Sequence, residues 1–518
     1  MHFNWEIEDS SDDPPLESIL TKRDLAETYK DKTLDLLPDE NLFKDIHIAV
    51  KRIFSAIRYD EKIVIFGHDD PDGTTSTYIL YNYLKKVGAT NLDYYIPNRL
   101  VDNHGIQKSF VKFVRKGGYK LIVTVDNGIT SFEGVKMLRD LGCDVIITDH
   151  HLLKPEGAPH CKAVVNPKQA DCEYPFDMPA GVGVALMLVR NIYQYCRNKG
   201  IIVEEPNENF YFWTAVGSIT DKVPLVGVNR LLIKYVIDNF YKLHDPVIDS
   251  LKAEFGMLGS DAKIMEFMTY AGLLIMGGRD INGNHLAMDF LLSQEDETKV
   301  ILAELLSLKK DNEQDVQAVV KFVDSLIKDY EGNGFIYYDA EDQIPYKLLG
   351  YAASHTTTKL MIPALFLKKK DNQILCEGRC GSGFSILEAY SYCSDTLTQF
   401  GGHVKAAGFT MIPENLNEFI FQFNGFLQMS DESIKKNMTI KVDTSISLKD
   451  LTKDLWNQLQ ELQPFGMGNP SPIFHLKATK ADVEKKGLQI IGIKHHCKIA
   501  EIIFHWTEFD KISVIDYH

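Results

Sequence analysis

Cysteine is scarce: 8 occur among 518 residues, none as a CxxC pair, with Cys376 and Cys380 the closest two. A zinc ribbon and a dense disulfide scaffold are thereby excluded, and reduced thiols are the expectation. No run of about 18 apolar residues is present, so no transmembrane helix and no membrane partner are expected. The opening Met1-His2-Phe3-Asn4-Trp5-Glu6 has no basic region followed by an apolar one, which argues against a secretory signal and for a cytoplasmic protein. Positive charge is also in deficit. Lys and Arg total 56 against 72 Asp and Glu, a formal charge of −16. Such a chain gains nothing from its overall field on approach to nucleic acid. It would need local basic grooves, or cations that offset its own carboxylates. Internal repeats and long low-complexity tracts are missing too. What remains is ordinary: 45% apolar and 25% charged residues exclude disorder as the main state. At roughly 150 residues per domain the length allows three or four.

Four short apolar runs punctuate the first 170 residues: Ile63-Val64-Ile65-Phe66, Leu121-Ile122-Val123-Thr124-Val125, Val145-Ile146-Ile147-Thr148 and Ala163-Val164-Val165. Each is short, largely β-branched and not alternating, the pattern of strands buried on both faces of a parallel sheet. Helical stretches separate them, Ser76 to Lys86 and Phe132 to Leu141, the latter with Phe132, Val135, Leu138 and Leu141 on one face. This alternation predicts a doubly wound α/β domain, whose site lies beyond the carboxyl ends of the strands.

Those ends carry unusual cargo. Gly67-His68-Asp69-Asp70-Pro71-Asp72-Gly73 follows the first run, Asp126-Asn127-Gly128 the second, and Asp149-His150-His151 the third. Asn166-Pro167 follows the fourth, and Asp221 closes a further apolar stretch. Each has an ordinary explanation when taken singly. An Asp after a strand caps the next helix, Asp70 or Asp72 beside Gly73 serves a turn, and a His pair is surface or core. Together they bring carboxylates and imidazoles to one sheet edge, where they repel unless cations hold them. Oxygen donors with one or two imidazoles and no thiolate suit Mn²⁺ or Mg²⁺. Two such ions about 3.5–4 Å apart would clamp a phosphodiester and ionise a water for in-line attack.

Beyond residue 285 a helical stripe (Val316, Val319, Val320, Val323, Leu326, Ile327) reads as core contact in a bridging helix, closed by Gly332-Asn333-Gly334. A second α/β pattern spans about Phe335 to Leu427. Short alternating segments from about Met438, with the turn-rich Pro464-Phe465-Gly466-Met467-Gly468-Asn469-Pro470, predict a small β-barrel. The acidic stretch Glu6 to Asp13 is expected to be solvated or loosely attached. Lys85-Lys86, Lys368-Lys369-Lys370 and Lys485-Lys486 are local basic spots, which ordinarily mark solvated faces and would otherwise line a nucleic-acid path.

Asp149-His150-His151 resembles the signature of the DHH phosphoesterases, and the wider pattern resembles the RecJ family of single-strand-specific 5′→3′ DNA exonucleases. The resemblance runs through Leu16 to Arg23, Tyr95-Ile96-Pro97-Asn98-Arg99, Thr124 to Ile129, Ile147 to His151, Val165 to Lys168, Ala180 to Ala185 and Asp221 to Arg230. It continues with Gly350-Tyr351-Ala352-Ala353-Ser354, Phe400 to Gly408 and Leu462 to Pro470. It implies a parallel-sheet α/β DHH domain joined by a long helix to a smaller α/β DHH-associated domain, then an OB-like β-barrel. The implied divisions are 1–45 (extension), 46–284 (DHH), 285–332 (connecting helix), 333–432 (DHH-associated) and 433–518 (OB-like).

By the same resemblance His68, Asp70, Asp72, Asp126, His150 and Asp221 are metal ligands for two Mn²⁺ or Mg²⁺, and Asp126 bridges both. Asp149 orients an imidazole, and His151 contacts the scissile phosphate or assists the water. Arg379, Gly401, Gly402, His403 and Ser354 bind nucleic acid, the arginine by a bidentate phosphate grip. The OB-like end guides single-stranded DNA. The implied activity is metal-dependent 5′→3′ hydrolysis of single-stranded DNA to 5′-nucleotides in repair and recombination. A single-strand-binding protein and a RecQ-type helicase are the implied partners. Hydrolysis of short RNA oligonucleotides or cyclic dinucleotides, and a non-catalytic replication scaffold, are the alternatives within the superfamily. Four positions depart from the pattern. His68 replaces an aspartate, Asp69 an aromatic residue, Cys380 a serine and Met276 an asparagine.

Overall fold

The structure, a computed structural model, describes residues 4–7, 13–23, 25, 29–30, 33–98, 105–257, 263–276, 278–279, 283–339, 341–370, 372–381, 383–430, 439–491 and 501–517. Arg99 and Gly277, and most of the acidic stretch after Glu6, lie outside the described residues. The chain folds into two compact units. One comprises Arg23–Lys309 and Trp456–Ser471, the other Met1–Lys22, Lys310–Leu455 and Pro472–His518.

The first unit is built on a five-stranded, all-parallel sheet. Its elements are β1 (Ile63–Phe66), α1 (Pro71–Lys86), β2 (Leu92–Tyr95), β3 (Leu121–Val125), α2 (Phe132–Asp140), β4 (Asp144–Thr148) and β5 (Ala163–Val165), in the strand order β2-β1-β3-β4-β5. Helices α3 (Gly181–Asn198), α4 (Glu208–Thr220) and α5 (Leu286–Leu292) follow. Alternate residues of one strand enter different cores. Ile63 and Ile65 join Val123, Val125, Ile146 and Val165 on one face, while Val64 and Phe66 join Ile122, Ile147 and Val164 on the other. A sheet covered on both faces needs apolar residues at both parities, which is why these strands read as unbroken apolar runs. Helix α1 begins five residues earlier than its apolar pattern suggested. Asp70 caps it by accepting from Gly73 N at 2.8 Å, and Pro71 stands in the first turn, where a missing N–H costs nothing.

Helix α6 (Asp296–Ile327) is 32 residues long and leads into the second unit. Its Val319, Val323 and Ile327 are buried, as the stripe predicted. There β6 (Phe335–Asp339), α7 (Leu349–Leu360), β7 (Ala364–Lys370), β8 (Gln373–Arg379), β9 (Gln399–His403), β10 (Ala406–Met411) and α8 (Leu416–Met429) form an α/β layer with strand order β9-β10-β8-β7-β6. Strands β11 (Thr444–Ile446), β12 (Ile473–Lys477), β13 (Gln489–Ile491), β14 (Glu501–Glu508) and β15 (Lys511–Tyr517) make a third five-stranded sheet, ordered β11-β12-β14-β15-β13. Asn4–Glu6 pairs in parallel with Thr439–Lys441, so Glu6 is held in a strand rather than loosely attached. Among the described residues no helix is long and apolar enough to cross a membrane.

Candidate metal centre

The carboxyl ends of β1, β3 and β4 converge with the end of α4. The loop after β1 carries His68 and Asp70, and the first turn of α1 carries Asp72. Asp126 follows β3, Asp149-His150-His151 follows β4, and Asp221 caps the C-terminus of α4. His68 Nδ1 lies 2.7 Å from Asp70 Oδ2 and 3.5 Å from Asp126 Oδ2. His150 Nε2 lies 3.2 Å from Asp126 Oδ1, 3.6 Å from Asp221 Oδ2 and 3.8 Å from Asp72 Oδ2. Asp126 therefore turns one oxygen to each of two donor sets, His68 with Asp70 and His150 with Asp72 and Asp221. His151 forms a further set with His150 and Asp126.

Local conformation serves these placements. Asp126 holds a left-handed φ of 57°, a strained choice for a residue with a Cβ and one that concentrates at functional sites. Its neighbour across the site is Gly181, where a Cβ would sit 2.5 Å from that of Asp126. Only a glycine lets the start of α3 approach so closely. From there Gly181 N donates to Asp72 Oδ2 at 2.7 Å and Val182 N to Asp72 Oδ1 at 2.8 Å, which seats the carboxylate on a helix N-terminus. Asp70 realises two readings at once, as helix cap through Oδ1 and as partner of His68 through Oδ2.

Asp149 is different. It is buried and accepts from the amides of Ile129, His150 and His151, and it lies 2.7 Å from His151 Nδ1. Its oxygens are spent on aiming the loop and the His151 ring. The fourth strand end, Asn166, supplies no ligand. Its amide donates to His151 O at 3.0 Å, and Lys168 Nζ donates to His150 O. The sequence reading gave Asn166, Lys168, Gly181 and Val182 no role. The small-residue run at Ala180 to Gly183 was the available signal for the last two.

The electrostatics are those of carboxylates crowded into a buried site. Burial, with Asp126, Asp221 and Asp70 nearby, pushes the Asp72 carboxyl well above its ordinary range. Burial pushes Asp221 up to about 7 in spite of His150. Burial opposes ionisation of Asp126 as well, yet His150 and His68 hold its carboxyl well below the usual range. Against the effect of burial, Asp70 and Asp126 raise His68 well above its usual value, and Asp149 raises His151 to about 9. Asp126 Oδ1 and His150 Nε2, 3.2 Å apart, are both buried, and among the described residues neither has a partner in hydrogen-bond geometry. Buried donor atoms left unsatisfied among mutually repelling carboxylates fit divalent cations of the Mn²⁺ or Mg²⁺ type.

The candidate nucleic-acid residues belong to the second unit. Arg379 ends β8, with Nη1 on Glu377 Oε2 at 2.9 Å and on Gly378 O at 2.8 Å. Strand register sets Arg379 opposite Ala406, and Ala406 opposite His403, so all three share one row of the sheet. Gly401 and Gly402 lie within β9 rather than in a turn. Gly402 has φ 136°, and a Cβ there would lie 2.5 Å from Ala406 O. Ser354 lies on α7, which packs on β7 and β8. Of the basic spots, Lys86 pairs with Glu204 at 3.2 Å, and Lys368 is tied to Asp339, Asp342 and Ile344 O.

The chain is similar to known proteins in sequence and fold. The DHH family N-terminal domain matches residues 62–209, and the RecJ OB domain matches residues 442–503. The single-stranded-DNA-specific exonuclease RecJ of Bacillus subtilis is 32% identical over 501 residues, 93% of this chain and 61% of that protein. The chain thus spans less than two thirds of that relative. The protein of the same name from Salmonella typhimurium is 29% identical over 85% of this chain and 78% of its own length. Among solved structures, RecJ from Thermus thermophilus in complex with Mn²⁺ shares the fold. Its TM-score is 0.76 at 22% identity, over 97% of this chain and 76% of that one. An exonuclease RecJ bound to manganese matches with TM-score 0.61 at 25% identity, over 76% of this chain and 96% of that one.

Proposed function

The chain belongs to the RecJ family of the DHH phosphoesterases, and from that premise we propose that it is a metal-dependent exonuclease of single-stranded DNA. One observation carries the reading: two donor sets share Asp126, each addressed by a different oxygen of that carboxylate. His68, Asp70 and Asp126 would hold one Mn²⁺ or Mg²⁺, and Asp72, His150, Asp221 and Asp126 the second. Bound ions of this kind polarise a phosphodiester and lower the pKa of water.

The protein's own part is positional. The Gly181 and Val182 amides fix Asp72, Asp149 fixes His151, and Asn166 and Lys168 brace the backbone between β4 and His151. His151 engages Asp149 through Nδ1, so Nε2 is the atom we assign to an oxygen of the scissile phosphate. In hydrolysis from the 5′ end, water adds its oxygen to phosphorus, the P–O3′ bond breaks, and a proton passes to the departing O3′. Arg379, Gly401, Gly402, His403 and Ser354 are assigned to the strand's backbone. The divisions 46–284, 333–432 and 433–518 are assigned to catalysis, nucleic-acid binding and strand guidance. The 5′→3′ polarity, repair and recombination, a single-strand-binding protein and RecQ-type helicase as partners, and a cytoplasmic location belong to the same reading.

The test is digestion of oligonucleotides labelled at either end, with Mn²⁺, Mg²⁺ or chelator, beside duplex DNA and an RNA dinucleotide. Metal-dependent release of nucleotides from the 5′ end of single strands, lost in Asp126→Ala, is expected. Cleavage of the dinucleotide alone overturns the substrate assignment. Absence of any cleavage with metal bound overturns the enzymatic one.

A further inference from the structure

Asp69 stands between two of the metal-site residues, yet its side chain is engaged elsewhere. Asp69 Oδ2 lies 3.4 Å from Arg279 Nε, and Oδ1 lies 3.4 Å from His285 Nε2. All three side chains are largely buried, at 14%, 17% and 7% exposure respectively. Arg279 also donates through Nη2 to Ile96 O at 2.8 Å and Pro97 O at 2.9 Å, and through Nη1 to Gly283 O at 2.9 Å. Ile96 and Pro97 follow β2, the sheet neighbour of β1, so one guanidinium ties together the exits of two adjacent strands.

The histidine is fixed just as tightly. His285 Nδ1 accepts from Met288 N at 3.2 Å and so caps α5. A ring that accepts at Nδ1 carries its proton at Nε2, the nitrogen that faces Asp69 Oδ1 at 3.4 Å. Arg279 cancels the extra negative charge that Asp69 brings beside Asp70, Asp72 and Asp126, whose mutual repulsion it would otherwise deepen.

We infer that Asp69, held by Arg279 and His285, is a positioning residue that presents His68 and Asp70 to one of the two cations. The inference rests on reading the centre as a metal site, and it assigns the clamp to the His68–Asp70–Asp126 set alone. The other set draws Asp72 from α1, His150 from the loop after β4 and Asp221 from the end of α4, and the hydrogen bonds and ion pairs given above for Arg279 and His285 go to none of these three side chains. Partners that orient metal ligands are typically worth about 10–100-fold in metal affinity.

The experiment is a Mn²⁺ titration of the full chain followed by the electron paramagnetic resonance signal of free Mn²⁺. Asp69→Asn keeps the side chain's shape and removes its charge. His285→Asn keeps a good helix cap and gives up the reach to Asp69, so it carries the test independently if the first variant folds poorly. Both should weaken one of two binding events about tenfold or more and leave the other within about twofold. Turnover should recover as Mn²⁺ is raised. Two affinities equal to wild type overturn the inference, as does parallel loss of both with native circular dichroism. A wild-type protein that binds no Mn²⁺ overturns it together with the metal reading. Two bound ions without cleavage of single strands would instead overturn the proposed function and leave the clamp standing.

Discussion

In the proposed metal centre protons and cations would compete for the same atoms. Asp72, Asp221, His68 and His151 all bind a proton more tightly in the folded, metal-free chain than their ordinary values allow. A raised folded-state pKa contributes stability that is complete below the unfolded value and disappears as pH climbs through the folded one. For Asp221 that loss runs from its ordinary 3.8 and is complete near pH 7, and for His151 it runs from 6.5 and is complete near pH 9. Asp126 and Asp149 act in the opposite sense, but their window lies below the ordinary aspartate pKa of 3.8. In chelator, urea unfolding should therefore show stability falling from pH 6 to pH 9, and Mn²⁺ should reverse the fall because its ligands must be deprotonated. A flat or rising profile in chelator contradicts this account. Asp221→Asn removes one of the buried repelling charges. It should raise the metal-free melting temperature by roughly 2–4 °C, reduce the slope near pH 7, and cost about 100-fold or more in cleavage.

Elements deliver those residues, and the closeness of packing sets the tolerance. At Gly181 an added methyl would meet Asp126 at 2.5–2.8 Å, with no flexible side-chain tip to yield. Gly181→Ala should push the N-terminus of α3 away from Asp72 and cost about 1–3 kcal/mol in stability, the usual range for overpacking. A larger effect falls on Mn²⁺ binding, which calorimetry would measure. Unchanged Mn²⁺ affinity would refute the claim that this close approach sets the site.

Arg230 does comparable work at another element. It is 3% exposed and donates to Leu462 O, Gln463 O, Tyr29 O and Glu461 O at 2.6–3.0 Å. Arg230→Met strands several buried carbonyls at about 1–3 kcal/mol each. Hydrogen exchange should then quicken across Trp456–Ser471 before it does so in β3. Uniform exchange would argue against a local clasp.

The sequence made the sheet readable where both strand faces are apolar, as in β1 and β3. It hid β2, an edge strand whose Asp93 is exposed and whose two tyrosines are half-buried. The six ligand candidates stood out because each lies just after a strand, at the start of the helix that follows it or at the end of a helix, and the family resemblance named them. Their braces did not stand out, because Asp72 meets Gly181 across 109 positions and Asp69 meets Arg279 across 210. Such pairings exist only once the sheet is wound.

At the scale of the whole molecule the decisive number is the charge of −16. The candidate centre gathers Asp70, Asp72, Asp126 and Asp221, four of the carboxylates in that count, around the imidazoles of His68 and His150. A phosphate brought within about 4 Å of an unneutralised carboxylate meets a repulsion on the order of 4 kcal/mol at an effective dielectric constant of 20. Single-stranded DNA should therefore bind through the cations and a few local contacts, not through a general basic field. Two consequences can be measured by anisotropy with a labelled phosphorothioate strand that resists cleavage. Chelator should weaken binding by about tenfold or more, since the repulsion returns. With Mn²⁺ present, log K against log salt should have a slope shallower than about −3, as single strands release about 0.7 counterion for each phosphate contacted. A steep slope that persists in chelator would mean that lysines and arginines carry the affinity. The acidic balance of the chain would then be irrelevant to how it holds DNA.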